Sequence, residues 1–114
     1  MIHMIKVKVL MSQDNRVKEL KVTGHADYSE YGDDIVCSAV SALTQTALLG
    51  LLNVAQVDMK YCIKKGYLSF SIPEIEDRDK KLKAWAIMDT MIIGLKNLAK
   101  NYSPYIKIVV KREV

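Results

Sequence analysis

Between Ile35 and Val57 the chain reads IVCSAVSALTQTALLGLLNVAQV, without one charged residue. A run of this length either crosses a bilayer or forms a buried helix. Ser38, Ser41, Thr44, Gln45, Thr46, Asn53 and Gln56 put too many polar groups along it for a lipid-facing span, so it reads as a soluble core helix with no membrane partner. Val36, Val40, Leu43, Ala47 and Leu51 recur at helical spacing, with Ser38, Ser41 and Gln45 on the more polar side. The expected helix runs from about Ile35 to Val54, with Asp33 or Asp34 as its N-cap. Its apolar surface is wider than one sheet requires, so a second helix or a partner subunit must cover the remainder.

Outward from this helix, both flanks alternate. Ile2 to Met11 sets Ile5, Val7 and Val9 against Lys6 and Lys8, the period of a half-buried strand. Ser12 to Arg16 has turn chemistry, and Val17 to Thr23 resumes the alternation, which makes a hairpin ending at Gly24. After the helix, Met59 to Lys64 and Tyr67 to Ile72 flank Lys65-Gly66 as a second hairpin. A second helix follows over about Asp79 to Asn101, its apolar stripe expected at Trp85, Met88, Ile92, Leu95, Ala99 and Tyr102. Tyr105 to Lys111 is a last strand. The order ββαββαβ predicts an α+β two-layer sandwich, a mostly antiparallel sheet covered by two helices, as a single domain over residues 1–114.

The composition bounds the chemistry. At 114 residues and half apolar, the chain can bury one core without disulfides or metals. With 17 Lys and Arg against 13 Asp and Glu it is mildly basic, which suits a solvated surface and leaves direct RNA contact open without pointing to it. No signal peptide is read at the N-terminus, and two cysteines make no disulfide framework; a reducing, cytoplasmic setting is expected.

Two cysteines, Cys37 and Cys62, and two histidines, His3 and His25, limit thiol–imidazole chemistry to four pairs. None has the short spacing of a zinc site, and no cofactor is implied. Cys62 lies within an expected strand, where cysteine behaves as a small hydrophobe, and His3 lies near a chain end. His25 and Cys37 differ because both sit at element ends. A helix packing back along the sheet brings its N-terminus to where the preceding strand stops, close enough for a nucleophile and a base. With Cys37 expected in the first helical turn, the dipole offers about 0.3–1 kcal/mol toward thiolate. Lowering a thiol pKa by about two units takes roughly 2.7 kcal/mol, so an imidazolium would have to supply most of it. First-turn amides could hold an oxyanion. The plainer reading, a core cysteine beside a loop histidine, fits the same spacing. Asp34 reads as a cap or as a group orienting His25; Ser41, one turn beyond Cys37, reads as a polar-face residue. Gly24 and Gly32 bound the intervening loop as candidate hinges.

The segments Gly24-His25-Ala26 and Gly32-Asp33-Asp34-Ile35-Val36-Cys37-Ser38-Ala39-Val40-Ser41 resemble the signature of the ribosomal-processing cysteine protease family, Prp. The similarity extends to chain length and element order. It departs at Ser38, where family members more often carry Ala, a small-for-small change. The resemblance implies a cytoplasmic cysteine endopeptidase with Cys37 and His25 catalytic. It implies a ribosomal protein precursor as substrate, the large-subunit protein of the L-twenty-seven family losing an N-terminal extension. It also implies a homodimer, with a mobile loop over the site between Gly24 and Gly32. A non-catalytic ribosome- or RNA-associated module is the competing reading.

Overall fold

The computed structural model describes residues 4–24 and 31–114, the side chains of 31–34 excepted. The elements follow the expected order: β1 (Ile5–Met11), β2 (Val17–Thr23), α1 (Tyr31–Asn53), β3 (Lys60–Lys64), β4 (Tyr67–Ser71), α2 (Arg78–Asn101) and β5 (Ile106–Arg112). The strands form one sheet in the order β3-β4-β2-β1-β5. Three neighbouring pairs are antiparallel, and only β1 with β5 is parallel.

Direction follows from the pairing. β2 and β3 both run against β4, so they are parallel to each other with β4 between them, and α1 is the connection. β4 and β5 are likewise parallel, joined by α2 across β2 and β1. Parallel strands need such long crossovers, and each helix supplies one. β2 and β3 therefore finish at the same end of the sheet, and α1 begins there.

One face of the sheet is the core face. Ile5, Val7 and Val9 of β1 align with Val22 and Leu20 of β2, then with Leu68 and Phe70 of β4, all buried. Val36, Val40, Leu48 and Leu51 from α1 and Ala84, Met88, Met91 and Leu95 from α2 close over them in one cluster. By length and composition alone α1 could cross a bilayer over Ile35–Asn53, but these residues make it a core helix of the sandwich. Thr44, fully buried among them, donates its hydroxyl to the Val40 carbonyl at 2.8 Å. That bond within the helix satisfies the polar group without a partner elsewhere.

Several expectations need correcting. Met4 lies outside β1, and the residues before it, His3 included, fall outside the described residues. The alternation of β2 slips: Leu10 pairs with Glu19 but Met11 with Val17, so Lys18 is the extra residue of a β-bulge. The bulge lets Val17 and Leu20, three apart, both face the core. On α2 the buried stripe is Ala84, Met88, Met91 and Leu95, rotated from the expected one. Trp85 is only half-buried and Tyr102 is an exposed C-cap. The small side chain of Ala84 lets the helix approach the sheet, and the bulk of Trp85 is displaced to the rim. There it takes the Arg16 guanidinium on its ring face at 4.0 Å.

Candidate active site

Gly24 ends the strand that leads into the candidate site. It leaves β2 with φ of 96°, and its N–H donates to the Gly66 carbonyl at 3.3 Å. The β1 entry and the β3–β4 turn thus clamp the backbone at the residue before His25. This left-handed conformation is the one that glycine adopts without steric cost. His25 itself, and the loop residues up to position 30, lie outside the described residues, so the expected Cys37–His25 pairing does too.

The other element is α1, which starts four residues earlier than the expected Ile35. Asp33 and Asp34 are therefore residues of its first turn and not its N-cap, and Gly32 lies within the helix instead of closing the loop. The physical reason is that acidic residues suit both places: as caps they accept amide bonds, and in the first turn they oppose the positive end of the dipole. A glycine this early costs the helix about 1 kcal/mol at most.

The shift changes what the helix end can do for Cys37, now the seventh residue of α1. The amides without helical partners include those of Tyr31, Gly32 and Asp33, a turn before Cys37. The dipole's influence also fades within the first turn. Oxyanion donation from this helix end would come from that preceding turn, not from the amide of Cys37. Side chains on a helix lean toward its N-terminus, so Cys37 leans back toward that turn. Ser41, four residues later, shares its helix face.

Cys37 is half-buried and packs against the core cluster, between buried Val36 and exposed Ser38. Both cysteines are free. Cys62 is in a strand as expected, but on edge strand β3 and opposite Ser69, which puts it on the face of the sheet away from the helices. It is therefore no core residue, and the sheet separates it from Cys37. The edge position, set by long-range pairing, carries no signal in the local alternation. Among the described residues, no three His, Cys, Asp or Glu side chains gather as a metal site.

Comparison with known proteins identifies the family. A 28% identical relative from Bacillus subtilis, ribosomal processing cysteine protease Prp, aligns over 107 residues, 92% of this chain and 96% of the relative. The Staphylococcus aureus (strain Mu50) protein of the same name is 30% identical over 108 residues, 92% of this chain and 97% of that one. In structure, the Staphylococcus aureus essential ribosomal processing protease Prp in complex with a substrate peptide superposes with a TM-score of 0.83 at 23% identity, covering 95% of this chain and all of that one. A Streptococcus mutans structure gives 0.80 at 24% identity, covering 97% of each chain. Since the family model described as cysteine protease Prp also matches residues 4–107, the chain belongs to the Prp family of cysteine proteases.

Proposed function

We propose that this protease removes the N-terminal extension of a large-subunit ribosomal protein precursor (the L-twenty-seven family), with Cys37 as nucleophile and His25 as general base. The Cys37 sulfur attacks the scissile carbonyl while the His25 imidazole takes the thiol proton. As the C–N bond breaks, the imidazolium returns that proton to the leaving amine. Water, deprotonated by the same imidazole, then hydrolyses the thioester and regenerates the thiol.

The observation that carries the reading is the convergence at one end of the sheet: Gly24, clamped at the end of β2, and the first turns of α1 bearing Cys37. The ribosomal processing proteases among the relatives, and the substrate peptide held by the Staphylococcus aureus protein, support the substrate class. Asp34, three residues before Cys37 along α1, and Ser41, four residues after it, are the candidate positioning residues. Cytoplasmic location follows from the same substrate.

We also propose that the protein works as a homodimer. An apolar cleft of about 380 Å³ runs between α1 and α2, lined by Leu43, Gly50, Val54, Ala86 and Ile87 among others. Val54 is 62% exposed beside it, and Ile93 on α2 is 69% exposed. This is the surplus apolar surface that the uncharged helix foreshadowed.

The test is incubation of the extended ribosomal protein with the wild type, Cys37→Ala and His25→Ala, followed by mass measurement of the products. The wild type should release the extension, and both variants should fold and leave the precursor intact. Cleavage by Cys37→Ala at the wild-type rate would overturn the mechanism.

A further inference from the structure

Among the described residues, no helix lies on the second face of the sheet. The register gives its composition strand by strand. One row crosses the sheet as Lys64, Tyr67, Thr23, Lys6 and Lys107. The next reads Cys62, Ser69, Lys21, Lys8 and Val109, and the third Lys60, Ser71, Glu19, Leu10 and Lys111. These fifteen positions hold seven lysines and one acid, Glu19. The whole chain is only +4, so everything outside this face is net negative. The excess charge of the protein is thus concentrated on one side.

The arrangement also has relief. Lys8, Lys21 and Lys111 border a shallow depression of about 160 Å³ whose lining includes Leu10. Among the described residues, none of the exposed large hydrophobics belongs to these fifteen positions. A surface that docks on lipid presents exposed apolar side chains for the acyl boundary as well as cations, and here Leu10, Tyr67 and Val109 are half-buried while most of the lysines are exposed. Neutral hydroxyls at Thr23, Ser69 and Ser71 occupy the centre, with half-buried Tyr67 beside them on β4.

We propose that this open face binds single-stranded RNA. Lysines on all strands except β4 meet the phosphates, with release of their counterions. The Tyr67 ring offers a stacking surface, and the central hydroxyls can meet ribose 2′-OH groups. Five strands at about 4.8 Å spacing make a track roughly 19 Å across. α1, which carries Cys37, covers the opposite face, so RNA and a peptide at Cys37 can be held together.

The experiment is fluorescence anisotropy of a labelled uridine 20-mer titrated with the full chain, repeated between about 50 and about 200 mM salt. The wild type should bind, with log affinity falling linearly against log salt by about 0.7 per phosphate contacted. The Lys8→Gln/Lys21→Gln/Lys111→Gln variant should bind about tenfold or more weakly, with a slope shallower by about 2. Lys80→Gln/Lys83→Gln/Lys100→Gln, on exposed positions of α2, should bind like wild type, and so should Cys37→Ala, which separates this proposal from the protease mechanism. Equal losses in the two triple variants, or no binding by the wild type, would overturn it. So would equal affinity for the matching deoxythymidine 20-mer, or preferential binding to vesicles rich in phosphatidylserine. Far-ultraviolet circular dichroism of each variant excludes misfolding as the cause.

Discussion

A Cβ added to Gly24 would stand 2.5 Å from the carbonyl oxygen of Met4, closer than any real side chain tolerates, at the residue preceding His25. Backbone on both sides of the contact leaves nothing flexible to yield. Gly24→Ala must therefore pay twice, through the positive φ and through this clash. The expected cost is about 1–3 kcal/mol in urea unfolding. Cleavage of the precursor should fall further, by about 100-fold, because a shift of even 1 Å in the following residue re-aims the proposed base. Unchanged turnover in a destabilised variant would separate Gly24 from the chemistry.

The two hairpins were legible because each strand buries one face, so burial writes itself into a period of two. The bulge at Lys18 was not, since it depends on where Leu10 and Met11 find their partners. The start of α1 is not legible because Asp33 and Asp34 satisfy both the capping rule and the first-turn rule, and nothing local decides between them. The candidate site residues stand out by their motif and their place at element ends, while the lysine face carries no local signal. Lys6 and Lys107 are neighbours only through the parallel pairing of β1 with β5, a contact that no local pattern encodes.

The glycines at the helix interface should respond in opposite ways. At Gly50 a new Cβ would meet the tip of Ile87 at 3.3 Å, a single methyl that can rotate aside. Gly50→Ala should therefore keep most of the helix propensity gain, up to about 1 kcal/mol, and raise Tm. At Gly94 both terminal methyls of Leu43 stand at 3.3 Å, so no simple rotation clears the space. Gly94→Ala should be neutral or destabilising by about 1–3 kcal/mol. Thermal melts of the two variants check the contrast, and a Gly94→Ala protein as stable as Gly50→Ala would refute it.

If a second copy covers the cleft between α1 and α2, a charge placed there must break the pair. Val54→Glu puts a carboxylate on its wall at a position already 62% exposed, so the monomer tolerates it. Light scattering after size exclusion should give twice the 12.9 kDa chain mass for the wild type and the single mass for the variant. A monomeric wild type would end the dimer proposal.

Arg16 ties the β1–β2 turn to α2 by two contacts of unequal worth. Its guanidinium lies 4.0 Å from the centre of the Trp85 ring, and its Nη1 is 3.5 Å from an Asp89 oxygen one turn further along. Both partners of the ion pair are well exposed, with side chains 40% and 52% accessible, so solvent screens it. The ring contact should dominate: Arg16→Ala is expected to cost about 0.5–1 kcal/mol, and Asp89→Asn less than about 0.5 kcal/mol. Lys81, whose ammonium is 5.8 Å from the same ring, can replace only part of the loss. Trp85 is the only tryptophan, so fluorescence excited on the red edge, beyond tyrosine absorption, reports its surroundings. Acrylamide should quench it more strongly in Arg16→Ala than in wild type or Asp89→Asn. Equal stability losses in the two variants would shift the role from the ring to the ion pair.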